Sequence, residues 1–186
     1  MRSIVKILIP LLCILMPGCK EQALDPLQEA LGAYILQGEE GSFQLYRIEK
    51  IDSTTFRTEF ERRQKVYELK LQQETQLYQD YLSQRKPKNA KRHSDVIVRT
   101  CEIMNGLDSL QATMEGRLDE IAYYDYAFSA KATTDSHNYE FPNAYASITP
   151  AFEVITLTEE RKDLHKAGGR AIPGYLQLLG QDADEE

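Results

Sequence analysis

The sequence predicts an α+β domain in which a long antiparallel helical hairpin packs with a small antiparallel sheet. Three observations carry that expectation. Two long amphipathic stretches, about 54–84 and 89–121, are separated only by the turn "RKPKN". The apolar period then drops toward two residues at "AYYDYAFSA", which is the spacing of a strand rather than a helix. Two further runs, 42–51 and 152–158 ("FEVITLT"), also carry strand signals.

Taken in chain order, Asp25-Pro26 is a helix start with proline in the first turn, and Leu27, Leu31, Tyr34 and Ile35 follow at helical spacing. "GEEGS" breaks that helix, and Phe43 and Leu45 then alternate with Gln44 and Tyr46. Asp52 or Ser53 is expected to cap the first long helix. Its apolar stripe is Phe56, Phe60, Tyr67, Leu71, Leu77, Tyr78 and Tyr81, opposite Arg57, Glu61, Lys65, Glu68, Gln72 and Gln79. Pro87 forbids continuation through residue 86.

The second long helix should bury Val96, Ile97, Cys101, Met104, Leu107, Leu110, Met114, Leu118 and Ile121, although Gly106 and Gly116 weaken it by about 1 kcal/mol each. In the strand 122–131, Tyr124, Tyr126 and Phe128 fall on one face and Tyr123, Asp125 and Ala127 on the other. "ATTDSHNYEFPN" reads as a loop. Thr156 or Thr158 caps a short helix at 159–166, which "AGGRAIPGY" ends.

The 186 residues carry a formal charge of −7. An acidic balance argues against nucleic-acid binding, because reading a phosphate backbone needs a basic footprint. Three cysteines offer no disulfide framework once Cys13 and Cys19 are assigned to the N-terminal region. Cys101 remains and is expected in a helix core.

Residues 1–18 have the parts of an export signal: Arg2 and Lys6, an apolar run to Met16, and small residues before Cys19. The run is far short of the ~20 residues that span a bilayer. Leu15-Met16-Pro17-Gly18-Cys19 resembles the lipobox of bacterial lipoproteins. That resemblance implies cleavage before Cys19, diacylglycerol on its thiol and an acyl chain such as palmitate on its amino group. Several acyl chains give durable anchoring where one is marginal. Lys20 stands where some lipoproteins carry the aspartate that retains them at the inner membrane. The expected location is therefore the outer membrane, on its periplasmic face or at the cell surface.

The expected organisation is a signal peptide at 1–18, a tether at 19–26, one domain at 27–180 and an acidic tail at 181–186. Loss of Arg2 and Lys6 with the leader would take the formal charge from −7 to −9.

Candidates for function are sparse. Arg85, Lys86, Lys88, Lys91 and Arg92 crowd the hairpin turn, and Lys88, Lys91 and Arg92 are candidate contacts for an acidic partner or phosphate head groups. Tyr123, Tyr124 and Tyr126 head a tyrosine-rich segment that suits a contact face, since the ring offers area at low entropy cost. Asp135, His137 and Glu140 match no metal-site spacing, so no metal and no cofactor is expected. His165 in "DLHKAGGR" lacks any nucleophile or phosphate-loop motif around it. The carboxylate pairs Glu59/Glu61, Asp119/Glu120 and Glu159/Glu160 are expected to be solvated.

These observations favour a non-enzymatic binding or scaffolding protein, held to the membrane by its lipid beside an unidentified envelope protein. The alternatives are a small envelope hydrolase centred on His137 or His165, or an inhibitor or immunity-type lipoprotein.

Overall fold

The computed structural model describes residues 25–180. Its architecture is α+β: a four-stranded antiparallel meander, order β1-β2-β3-β4, with a two-helix arm inserted between the first two strands. The elements are α1 (Pro26–Leu36), β1 (Gly41–Thr55), α2 (Phe56–Ser83), α3 (Pro87–Thr113), β2 (Ile121–Thr134), β3 (Asn138–Ile148), β4 (Val154–Thr158) and α4 (Tyr175–Leu179). Short 3-10 turns occupy Glu115–Arg117, Arg161–Lys166 and Gly168–Ala171. The expected signal peptide, the expected tether up to residue 24 and the expected acidic tail at 181–186 lie outside the described residues.

The two faces of the sheet bury different partners. On one face α1 lays Leu31 over Phe128, Ala130, Ala144, Ala146 and Ile148. On the other, the root of the arm (Phe56, Phe60, Ile103, Leu107) meets Tyr123, Ile155, Ile172 and Tyr175. The expected division of the tyrosine strand therefore stands, with Tyr123 and Phe128 in opposite cores.

Strand β1 runs directly into α2. Thr55 ends the strand and caps the helix, its hydroxyl accepting from the Thr58 amide at 3.3 Å. Asp52 and Ser53 are strand residues instead. The first amides of α2 are not orphaned, because Phe56 and Arg57 donate to the carbonyls of Glu120 and Leu118 at 3.1 and 2.8 Å. Those bonds tie the root of the arm to the start of β2. At its far end α2 closes in a Schellman arrangement: Arg85, at φ 56°, donates to Leu82, and Lys86 donates to Tyr81. Pro87 then opens α3 at a position that needs no amide.

Several expectations are corrected. The stretch 132–143, read as a loop, is mostly strand: Asn138–Phe141 pair with Ala130–Thr133, leaving only a tight turn at 135–137. A proline is excluded from a regular ladder, but Pro142 sits in a bulge, between the pairs Ala130↔Phe141 and Phe128↔Ala144, where no ladder amide is demanded. The second long helix stops at Thr113 rather than 121, tightening into 3-10 turns through Arg117 N–H to Met114 O.

The buried line of α3 is Ala90, Thr100, Ile103 and Leu107, a register that leaves Cys101 exposed rather than in the core. Gly106 has a packing reason, since a Cβ there would collide with Leu178 of α4. The helix expected at 159–166 is a 3-10 turn, in which the Thr158 hydroxyl accepts from the Glu160 amide at 3.2 Å.

Candidate functional site

Three charged residues open α2 on its inward side. Spacings of three and four residues place Arg62 and Arg63 beside the same carboxylate, that of Glu59. Glu59 has no solvent exposure at all, so its expected solvation is corrected. Arg62 Nη1 and Arg63 Nε each approach it to 2.6 Å. The Tyr123 hydroxyl donates to Glu59 Oε2 at 2.7 Å and accepts from Arg62 at 2.6 Å. Arg63 also donates to the carbonyls of His165 and Lys166, clamping the C-terminal turns to the arm.

Gly168 closes the cluster from below. A Cβ there would stand 2.7 Å from Glu59 Oε1, so only glycine lets the turn approach this carboxylate. The sequence does carry a signal for this root: Glu59 lies three residues from Phe56 and next to Phe60, on the apolar side of the helix.

Burial, and after it the Glu59 charge, hold the Tyr123 phenol above its ordinary value. Burial and the Tyr67 hydroxyl at 3.0 Å do the same for Tyr175. Both phenols therefore keep their protons in the fold at pH values where the unfolded chain releases them. Their contribution is whole below pH 10, and it is lost as pH climbs above the unfolded value toward the raised ones. Each should lower stability by about 1.4 kcal/mol per pH unit in that window. Urea unfolding at a series of pH values above 10 checks this. Tyr123→Phe should flatten the decline by one such increment, and an unchanged slope would contradict the assignment.

His165 and His137 are placed apart. His165 Nδ1 lies 3.4 Å from the Tyr123 hydroxyl and 3.8 Å from Asp125 Oδ2. Behind it, Ser147 donates to Asp125 at 2.5 Å, and both side chains are buried. That hydroxyl is sealed in the sheet, so it does not supply a nucleophile to the surface. His137 sits in the β2–β3 turn against Ser136 at 2.7 Å and stacks on Tyr139. Among the described residues no group of three His, Cys, Asp or Glu could hold a metal ion, and this includes Asp135, His137 and Glu140.

The shaft of the arm is a different environment. No residue of α2 beyond Arg63 is buried, and before Thr100 only Ala90 of α3 is. Beyond Tyr67, whose hydroxyl meets Tyr175 at 3.0 Å, residues 68–83 thus extend about 24 Å along the partner helix. The inner seam is half-buried and polar in part: Glu74 meets His93 Nδ1 at 2.6 Å, and the His93 ring stacks on Tyr81. Outside that seam, Val66, Leu69, Leu77, Leu82 and Val98 are exposed.

The expected contact residues fall in two places. Lys88, Lys91 and Arg92 lie together along the first turns of α3, on a groove shared with Lys70 and Arg99. Tyr123 is wholly buried and therefore unavailable to a partner, whereas Tyr124 and Tyr126 are half-buried on the α1 side. Lys50 stands 4.8 Å over the Tyr124 ring. The tyrosines and the basic residues do not form one surface. Cys19 lies outside the described residues, and among those residues no helix is long and apolar enough to cross a membrane.

No family model matches this chain, and no curated protein or solved structure matches it either.

Proposed function

We propose that this chain is a lipid-anchored envelope protein whose helical arm docks another envelope protein, a binding or scaffolding role without catalysis. The observation that carries the reading is the arm itself. Its outer two-thirds adds almost nothing to either core, yet it holds five exposed large apolar side chains. An element of that size with no use in the fold is accounted for by use outside it. The lipobox resemblance at Cys19 supports the anchor. Five residues separate Cys19 from the Asp25 cap, at most about 20 Å of chain, so the domain would be held close to the membrane. The sealing of Ser147 behind Asp125, which leaves His165 facing only the buried Tyr123 phenol and the Asp125 carboxylate, makes the hydrolase reading the weaker one.

Two measurements test the proposal. Labelled palmitate should enter the full chain and fail to enter Cys19→Ala; equal labelling would remove the anchor. A cross-linked pull-down from detergent-solubilised native cells, with a tag after Glu186, should recover one or two defined envelope proteins at near-stoichiometric yield. A clean preparation without partners would overturn the docking role.

A further inference from the structure

One flank of the arm sets a basic ridge beside an uncovered apolar stripe. Lys88, Lys91, Arg92 and Arg99 of α3 line a groove of about 540 Å³ with Lys70 of α2, against one acidic lining residue, Asp95. Arg99 is engaged by Glu102 at 3.3 Å and by the Leu178 carbonyl at 2.8 Å. Among the described residues, Lys70, Lys88, Lys91 and Arg92 have no carboxylate partner. Residues 80–99 hold six Lys or Arg against two acids, in a chain whose formal charge is −7. Positive charge is thus concentrated here against the overall balance.

The apolar stripe belongs to α2. Val66, Leu69 and Leu77 are 48%, 51% and 39% exposed. Val66 and Leu77 are eleven residues apart, so they differ by only about 20° around the axis, and Lys70 lies within about 40° of both. Since Lys70 lines the groove, the stripe borders it. Leu82, twelve residues from Lys70 and about 120° away around the axis, points to another side. Stripe and ridge each extend over eleven residues, about 16 Å or three helical turns.

We infer that this flank seats a third helix, an acidic amphipathic helix supplied by the partner protein. Its apolar side lies on Val66, Leu69 and Leu77, and its carboxylates run along Lys88, Lys91 and Arg92. The inference rests on the docking role proposed above and names the chemistry of the partner. Two antiparallel helices offer a straight groove that a third fills by side-chain interdigitation, whereas an extended peptide would seek a sheet edge, which the arm lacks. Charge on one flank only, beside apolar side chains and interrupted by Asp95, suits a patterned helix better than a flat anionic lipid surface.

The test uses the detergent-solubilised full chain and two fluorescein-labelled 14-residue helical peptides, one patterned with leucine and glutamate, the other with leucine and lysine. Fluorescence anisotropy should show the glutamate peptide binding at least tenfold more tightly. Lys88→Glu/Lys91→Glu/Arg92→Glu, and separately Val66→Asp/Leu77→Asp, should each weaken it tenfold or more with the thermal midpoint unchanged. Leu82→Asp should leave it unaltered.

Equal binding of the two peptides, or binding untouched by both groove variants, would overturn the inference. So would binding only to phosphatidylglycerol vesicles, which would assign the flank to the membrane. Concentration-dependent dimers abolished by the groove variants would likewise assign it to a second copy. If the pull-down partner is kept by both groove variants, the groove assignment falls while the docking arm stands.

Discussion

Glu59→Ala is expected to destabilise the domain by about 3–5 kcal/mol, the usual consequence of removing one member of a buried ion pair. The carboxylate has no exposure, and Arg63 beside it is 8% exposed at the side chain. Alanine would leave that guanidinium facing a cavity in which water does not replace a negative charge. The Tyr123 hydroxyl would lose its acceptor at the same time. Each of those losses costs more than a surface ion pair contributes.

The double variant Glu59→Met/Arg63→Met discriminates between mechanisms. If the penalty of the single variant comes from an uncompensated buried charge, removing both charges should recover much of it. Recovery should stop short of complete, because Arg63 also serves the carbonyls of His165 and Lys166, and methionine leaves these acceptors empty. Urea unfolding of the two single variants and the double gives the coupling. A loss below 1 kcal/mol for Glu59→Ala would mean that the cluster is hydrated in solution, contrary to its geometry.

How much of this was legible in the sequence follows from the period of each element. The hairpin was legible because its helices are long, their apolar spacing persists, and Pro87 forces the break between them. The third strand was not. Tyr139 and Phe141 do alternate, but Pro142 removes an amide and argues against a ladder, and only the partner strand reveals the bulge that accommodates it. Leu107 of α3 is buried as expected, but one and two turns earlier the face was misjudged by one residue, with Cys101 and Met104 expected inside where Thr100 and Ile103 are. Thr100 hides in that face because its hydroxyl donates to the Val96 carbonyl at 2.8 Å, which no apolar count registers.

The same limitation applies to the site. The basic residues 88, 91 and 92 share a flank through helical spacing alone and were legible as a cluster. Their neighbours Lys70 and Arg99 join them only because the hairpin closes. Glu59 shares the apolar side of α2 with Phe56 and Phe60, but Arg62 and Arg63 look like ordinary surface charges until the C-terminal turns fold over them. Gly168, more than a hundred residues away, is what permits that approach.

Excising the outer arm separates folding from docking. Removing residues 72–97 and joining Leu71 to Val98 through a four-residue Gly/Asn turn should leave the domain folded, with stability changed by no more than about 2 kcal/mol. The expectation follows from where the cores are. The deleted stretch contributes one buried residue, Ala90, and neither core cluster draws on it. What it removes is local: the Glu74–His93 pair, the seam it belongs to, the exposed apolar residues Leu77 and Leu82, and the Val96 carbonyl to which Thr100 donates, an acceptor the new turn must replace. The bonds that fix the root, from Gln64 to Asp108 at 2.8 Å and from Tyr67 to Tyr175, remain. Short helix–helix turns of this kind are well tolerated. Urea and thermal unfolding measure the first half of the prediction, and the pull-down from native cells measures the second, with partner recovery expected to fall to background. A shortened chain that fails to fold would make the arm part of the folding unit. One that folds and still recovers the partner would move docking to the sheet and α1, where Tyr124 and Tyr126 would be the first side chains to replace.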